Sequence, residues 1–311
     1  MPIRIGEPDP IARLGGKSQI IKKICETAEL AIQNHNLVGV ADLFMGGCRL
    51  FLHLDCDYTV NFKIASEIDR GLVQFFKHLQ DPYKTDKLVD HICLTADDIT
   101  TKEEFEEANL RRLEDETMSE LELASLSYII SIYSMAADMQ NFSQADADRG
   151  IDPATLDKLL NLEEYLADVE FVEGNYLDTW EKFIHQGDIL TWLDPPYVRD
   201  VKEGKRKAKK AKVEPTRMYL HPFTPKDQEI LIDNALKSKN KIIISGYDNV
   251  AYKRLERNGF KKHFIGLVNV YSGSSGKVAK EFVWVNFDID VDLLPEEPSD
   301  DELKEWYLVS K

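Results

Sequence analysis

Short apolar runs alternate with amphipathic segments along most of the chain. The runs are rich in Val, Ile and Leu and stop at glycine or polar residues, a pattern typical of strands buried in a sheet. Between most of them lie segments with apolar residues at helical spacing, such as residues 71–79. Seven strands are predicted, at residues 38–44, 62–67, 169–172, 189–193, 241–245, 263–270 and 281–287.

The order of these elements predicts the fold class. Helices between successive strands favour parallel neighbours, because a parallel pair needs a long crossover connection. The last two predicted strands are instead separated by a turn rich in serine and glycine at residues 272–276, which favours an antiparallel hairpin. The sequence therefore predicts an α/β fold whose sheet of about seven strands is mostly parallel and ends in a C-terminal antiparallel hairpin.

One long interval interrupts the alternation. Residues 81–166 contain no strand pattern, and the apolar spacing around Leu121, Ile129 and Tyr133 indicates a helix. We therefore expect an inserted helical domain at 81–166, with 1–80 and 167–311 together forming the sheet domain.

Charge is unevenly distributed along the chain. The 311 residues carry a formal net charge of −16, which argues against a protein that coats nucleic acid or anionic membranes through its overall charge. Residues 202–212, however, contain seven basic residues and one acidic residue, a local balance of +6 that leaves −22 for the rest. A basic segment therefore stands within an otherwise acidic chain, either as a solvated loop or as a contact for an anionic partner.

The remaining composition favours a cytoplasmic location. No run of about 18 apolar residues is present, and the first ten residues do not resemble a secretory signal. The four cysteines are scattered without a C-x-x-C pair, so neither a disulfide framework nor a metal site is expected.

The most informative residues are Asp194, Pro195, Pro196 and Tyr197, which directly follow the predicted strand 189–193. In open parallel sheets, ligands bind beyond the carboxyl ends of the strands. Two prolines fix φ and remove two backbone donors, which leaves rigid carbonyl acceptors. With the Asp194 carboxylate and the flat Tyr197 ring, these carbonyls suit a planar exocyclic amine. An ordinary turn is the alternative for four residues taken alone.

The same four residues form the signature of the Dam-type N6-adenine-specific DNA methyltransferases, which the chain resembles over nearly its whole length. Other segments similar to that family follow in its order: an amino-terminal Gly-Gly-Lys, an acid before Phe-x-Gly after the first strand, and an acid ending the second strand. The resemblance implies a Rossmann-like methyltransferase sheet and S-adenosyl-L-methionine as cofactor. The cofactor-binding residues it implies are Arg13, Gly15, Gly16, Lys17, Asp42, Phe44, Gly46, Gly47, Glu67, Ile68, Asn175, Tyr176 and Asp194.

The resemblance also implies a reaction, the site-specific transfer of a methyl group to N6 of a flipped-out adenine. Asp194 and the Pro195 carbonyl would orient the amine beside Pro196, and Tyr197 would stack on the base. The helical interval 81–166 would recognise the DNA target, through a segment at 121–142. The DNA-binding residues that we expect are Lys205, Arg206, Lys207, Lys209 and Lys210 of the basic segment, together with Asn141.

Some positions differ from the usual residues of the family. Cys48 stands where a glycine is usual, and Asn175 and Tyr176 stand where Asp-Phe commonly holds the cofactor adenine. The side-chain oxygen of Asn175 can still accept from an adenine amine, and Asp178 is an alternative for that role.

Other functions stay open at this point. The first alternative is a non-catalytic nucleic-acid-binding or regulatory protein on a methyltransferase fold, although the intact residues 194–197 argue against it. Adenine in RNA and cytosine N4 are alternative targets. Double-stranded DNA is the expected partner, and a restriction endonuclease counterpart is compatible with the resemblance.

Overall fold

The structure, a computed structural model, describes residues 10–11, 20–55, 60–197, 223–270, 277–290, 294–299 and 301–302. Seven strands within these ranges form one sheet. They are β1 (Gly39–Asp42), β2 (Phe62–Glu67), β3 (Val169–Glu173), β4 (Ile189–Leu193), β5 (Lys241–Gly246), β6 (Lys261–Val270) and β7 (Lys277–Val285). Their order across the sheet is β3-β2-β1-β4-β5-β7-β6.

Helices occupy most of the intervals between the strands. Before β3 they are α1 (Ile21–His35), α2 (Arg49–His53), α3 (Arg70–Leu79), α4 (Pro82–Ala96), α5 (Lys102–Glu114), α6 (Glu120–Ile132), α7 (Gln144–Arg149), α8 (Pro153–Leu159) and α9 (Glu163–Leu166). After β3 come α10 (Tyr176–Trp180), α11 (Pro225–Lys237) and α12 (Lys253–Arg257). Nowhere in the described ranges is a helix both long and apolar enough to cross a membrane.

The predicted fold class is confirmed. The first five strands are mutually parallel, and β7 runs antiparallel to both β5 and β6. All seven predicted strands are present, with their ends displaced by a few residues. The largest displacement is in the last strand, which starts at Lys277 rather than at Glu281. The predicted turn at 272–276 lies outside the described residues.

Two hydrophobic cores lie on opposite faces of the sheet, because side chains alternate along each strand. In β5, Ile243 belongs to the first core, whereas Ile242 and Ile244 belong to the second. The first core is covered by α1, α3 and the helices that follow α3, and the second by α10, α11 and α12. Strands β1 and β4 are buried along their whole lengths, which explains why their sequences are mostly apolar.

The interval between α3 and β3 is helical and packs into the first core. The Tyr128 ring on α6 stacks on Phe75 of α3, with ring centroids 5.4 Å apart. A Cβ added to Gly71 would lie 1.8 Å from Ser127 Oγ, so only glycine permits this approach of α3 and α6. The helices at 82–166 therefore extend a core that begins on the sheet.

A buried ion pair joins the same two parts of the chain. Asp69 caps α3 by accepting from the backbone N–H groups of residues 71 and 72, and Arg112 Nη1 of α5 donates to its carboxylate at 2.8 and 3.0 Å. Both side chains are almost fully buried, with 2% and 1% of their surfaces exposed. Arg112 also bonds to Asn109, which donates to the Met139 carbonyl. The strand end at β2 is thereby tied to the loop after α6.

Candidate active site

The carboxyl ends of β1, β2 and β4 meet at one edge of the sheet. Asp42 and Glu67 are the last residues of β1 and β2, and Asp194 directly follows β4. Because β7 runs in the opposite direction, its first half reaches the same edge, where Phe282 pairs with Gly246. This arrangement brings Glu281 close to the residues that follow β4.

Four side chains from three chain segments contact one another at this edge; we call them the Asp194 corner: Asp194, Tyr197, Ser245 and Glu281. Ser245 Oγ donates to Asp194 Oδ1 at 2.5 Å, and the Tyr197 hydroxyl lies 3.1 Å from the same oxygen. The Tyr197 hydroxyl also makes a short hydrogen bond to Glu281 Oε1. The Tyr197 ring meets Tyr247 edge to face, with centroids 4.6 Å apart. Both ends of the tyrosine side chain are thus held.

Charge and burial shape the electrostatics of the corner. Burial raises the pKa of the Tyr197 hydroxyl well above its usual value, and the charges of Asp194 and Glu281 raise it further. Tyr197 therefore stays a neutral donor over the whole physiological range. Arg49, the first residue of α2, also lies near Asp194: burial lowers the pKa of Arg49 to about 10, and the Asp194 charge partly offsets this effect. The guanidinium remains a cation at neutral pH beside the corner.

A second set of contacts shapes the loop at residues 43–48, which we call the glycine loop. Asp42 is 2% exposed and accepts from the Phe44 N–H at 3.2 Å, which closes the turn that leaves β1. Gly46 has φ of +50°, and its N–H donates to Glu67 Oε2 at 2.9 Å. The loop is therefore fixed largely by backbone groups and by one carboxylate on the neighbouring strand.

Glu67 also holds its own chain. Its Oε1 accepts from the N–H groups of Ile68 and Asp69 at 2.9 and 3.1 Å. A carboxylate offers about four acceptor positions, and backbone groups of the described residues occupy three of those of Glu67. The side chain is partly exposed, so the position left on Oε2 can face a ligand.

Cys48 adopts the left-handed backbone conformation, which glycine tolerates better than a residue with a Cβ. Its φ and ψ are 57° and 25°, and it is fully buried at the start of α2. For a residue with a Cβ this conformation costs roughly 1–2 kcal/mol. Cys48 therefore holds the loop geometry at the expense of local backbone strain.

Three aromatic rings stand beside the glycine loop. The Phe44 ring lies 4.6 Å from Tyr176 and 5.8 Å from Phe223, measured between centroids. Asn175 caps α10 by accepting from the Leu177 N–H at 2.9 Å, so its side-chain oxygen already has one donor. Asp178, the alternative for the same role, is exposed in the first turn of α10.

The remaining predicted site residues are distributed as follows. Asn141 lies in the loop after α6 and is exposed, with its side chain bonded to Asp138. Tyr128 and Tyr133 of the predicted recognition segment are buried in the first core. The residues that lie outside the described ranges are Arg13, Gly15, Gly16, Lys17, Lys205, Arg206, Lys207, Lys209 and Lys210.

Sequence reasoning did not identify Ser245, Glu281, Tyr247 or Arg49. The first two lie in segments that the sequence predicts to be strands, and nothing in those segments indicated a role for either side chain. A signal was available for Glu281: it is a charged residue at the border of a strongly apolar strand whose antiparallel direction places it at the ligand edge.

Comparison with known proteins assigns the chain to a family of enzymes. A search of curated proteins found no match. The chain does match the family model of the D12 class N6 adenine-specific DNA methyltransferase over residues 14–203, more than half of its length and including Asp42, Glu67 and Asp194. This match confirms the predicted enzyme class, a transferase that methylates adenine N6 in DNA. The chain belongs to the D12 class of N6 adenine-specific DNA methyltransferases.

Proposed function

We propose that the Asp194 corner methylates N6 of a flipped-out adenine in double-stranded DNA, with S-adenosyl-L-methionine as the methyl donor bound at the glycine loop. The observation that carries this proposal is the convergence of Asp194, Tyr197 and Ser245 beyond β4, at the same edge as Asp42 and Glu67. An amine site and a candidate donor site are thus neighbours on adjacent parallel strands.

The target amine would bind at residues 194–197. An adenine in a duplex cannot reach a sheet edge, so it must leave the stack, which costs a few kcal/mol. Stacking on the Tyr197 ring returns about 1–3 kcal/mol. Asp194 accepts one amine hydrogen and the Pro195 carbonyl accepts the other, which draws the nitrogen lone pair out of conjugation. Pro196 keeps the backbone of this turn rigid.

The donor site fits the groups that S-adenosyl-L-methionine presents. The open position on Glu67 Oε2 suits a ribose hydroxyl, and the glycines of the loop allow a ligand to approach the backbone. Phe44 and Tyr176 offer apolar ring surface for an adenine. The sulfonium of this donor supplies an activated methyl group, so alignment of amine and donor is the main task of the protein, worth up to about 7–11 kcal/mol.

Described residues next to two segments outside the described ranges lie near this site. Ile11, two residues before Arg13, is buried, and its carbonyl oxygen lies 3.5 Å from the position of a Cβ on Gly47. Residues 198–222, which include the basic segment, follow Tyr197 and precede Phe223 in the chain. These connections support roles for Lys17 at the donor and for the basic residues on DNA phosphates.

The contribution of the basic segment can be tested by salt dependence. Binding that displaces counterions from Z phosphates weakens with salt at a slope of about −0.9Z on logarithmic axes. Changing Lys207, Lys209 and Lys210 together to Ala is expected to weaken duplex binding and flatten this slope. An unchanged slope would exclude phosphate contacts by these three lysines.

The proposed reaction is tested by tritium transfer from labelled S-adenosyl-L-methionine to an adenine-containing duplex. Asp194→Ala and Tyr197→Ala are each expected to lower the rate by about a hundredfold or more, because each removes a group that touches the reacting base. Glu170→Gln, on the exposed side of β3, is the matched control. Normal transfer by both variants would refute the proposal. Sequencing of methyladenine in mixed-sequence DNA would identify the recognition site in the same experiment.

A further inference from the structure

The position of Glu281 follows from the direction of its strand. Side chains two positions apart lie on the same face of a strand, and Glu281 is two positions before Val283, which packs in the first core opposite Ser245. Since β7 is antiparallel to β5 and Phe282 pairs with Gly246, the last residue of β5, the residues that precede Phe282 extend past the end of β5. Glu281 therefore reaches the corner from a part of the chain that no motif connects to Asp194.

Glu281 is one of the most deeply buried carboxyl groups in the described chain, with 1% of its surface exposed. A carboxyl group in such surroundings is retained only when it is bonded to polar partners. One of its bonds is to the Tyr197 hydroxyl, whose contact with Glu281 is shorter than its contact with Asp194. This hydroxyl has a single proton, which it can donate to one carboxylate at a time.

The two carboxylates that can accept the Tyr197 proton, those of Asp194 and Glu281, differ in their proposed roles. If the Tyr197 proton is directed to Glu281, Tyr197 does not compete as a donor with an incoming amine at Asp194. The bond also sets the rotation and tilt of the tyrosine side chain, since its hydroxyl end is anchored on β7 and its ring edge meets Tyr247. Both effects act on groups that touch the target base, although Glu281 itself is buried behind them.

We propose that Glu281 is a positioning residue that holds the Tyr197 ring for base stacking and keeps Asp194 available to the target amine. The inference rests on the proposed function, because it assigns Glu281 an effect on methyl transfer. In this role the Glu281 carboxylate acts only through the Tyr197 hydroxyl and makes no direct contact with the base.

A double-mutant cycle separates this role from a general contribution to folding. The variants are Glu281→Ala, the isosteric Glu281→Gln, Tyr197→Phe, which keeps the ring and removes the hydroxyl, and the Glu281→Ala/Tyr197→Phe pair. Glu170→Gln is again the control. Each is assayed for kcat and for the KM of the duplex, and its unfolding midpoint in urea is recorded so that rates are compared among folded proteins.

We expect Glu281→Ala to lower kcat about tenfold to a hundredfold, the usual effect of losing a hydrogen bond to a charged group. Glu281→Gln should retain most of the rate, because its amide oxygen still accepts from Tyr197. In the Tyr197→Phe background, Glu281→Ala should change kcat by less than about twofold, since the hydroxyl through which it acts is gone. Equal losses in both backgrounds, or an unchanged kcat in Glu281→Ala, would overturn the positioning role.

A spectroscopic readout makes the result independent of catalysis. In protein labelled with carbon-13 at tyrosine Cζ, the Tyr197 resonance is assigned by its absence in Tyr197→Phe. Without DNA or donor, Glu281→Ala should displace this resonance and Glu170→Gln should not. An unmoved resonance would overturn the contact itself. If it moves but the unaltered protein transfers no methyl group, the proposed function fails, and the role of Glu281 in the rate fails with it.

Discussion

The Asp194 corner and the glycine loop share one edge of the sheet but are held in different ways. In the loop, backbone N–H groups donate to carboxylates 2 and 21 positions away in the sequence, at Asp42 and Glu67. In the corner, side chains bond to side chains 51 and 84 positions away. The geometry of the loop thus depends mainly on its own backbone and on two neighbouring strands. The corner instead depends on side chains at or just after three different strands. Substitutions should therefore affect stability and donor binding at the loop, and the rate at the corner.

The largest expected effect is on stability, at the buried ion pair behind the loop. Arg112→Ala leaves Asp69 as a buried charge without its guanidinium and should lower the free energy of unfolding by about 3–5 kcal/mol. The neighbouring Arg111→Ala, which breaks the exposed pair with Glu122, should cost less than about 1 kcal/mol. Urea denaturation measures both changes. Equal losses in the two variants would show that burial of the first pair has no energetic consequence.

At the corner, by contrast, a substitution is expected to lower kcat and to leave the affinity for S-adenosyl-L-methionine nearly unchanged. Ser245→Ala removes a donor to Asp194 and should lower kcat about tenfold, because the carboxylate loses one of the bonds that orient it. Calorimetric affinity for S-adenosyl-L-methionine should stay within about twofold. Ser125→Ala is the matched control, since this buried serine donates only to the carbonyl of residue 121 in its own helix. A weakened affinity for S-adenosyl-L-methionine with an unchanged kcat would contradict the distinction between the corner and the loop.

Glu67 offers the complementary test at the loop. In Glu67→Gln, an amide N–H₂ replaces one oxygen and must face backbone donors, either at Gly46 or at residues 68–69. The affinity for S-adenosyl-L-methionine should fall about tenfold, because Glu67 no longer offers a charged acceptor. At saturating S-adenosyl-L-methionine, kcat should remain within about twofold of that of the unaltered protein. Glu170→Gln is the control. A fall in kcat without a change in affinity would place Glu67 with the catalytic residues instead.

The smallest effect is expected for the substitution of Cys48 by glycine. Cys48→Gly relieves the left-handed strain of about 1–2 kcal/mol but loses buried sulfur and gives the unfolded chain more freedom, so stability should change by less than about 1 kcal/mol. Cys48→Val adds a branched Cβ at positive φ and should destabilise by more than about 2 kcal/mol. Thermal unfolding distinguishes these outcomes. A stable valine variant would show that the loop does not need this conformation.

Much of the fold was predictable because its signals are local. Strands β1 and β4 are buried on both faces, so their sequences are largely apolar, and each is marked by an acid, Asp42 as the last residue of β1 and Asp194 directly after β4. Asp69 shows where local signals stop. It stands two positions after Glu67, and although the resemblance assigned Glu67 to the cofactor, no local pattern predicts that Glu67 faces the edge while Asp69 is buried against Arg112. That difference depends on a helix 43 positions away.

The sequence by itself determined the α/β class, the strands and the candidate site residues 194–197 at the end of β4, because each of these depends on periodicity or on neighbouring positions. Only the tertiary structure decided what surrounds those residues: the bond from Ser245 to Asp194, the anchoring of Tyr197 by Glu281, and the ion pair that fastens β2 to the helical interval. The physical reason is the direction of the strands. An antiparallel β7 returns its first residues to the edge where the parallel strands end, and no local pattern in the chain records which side chains meet there.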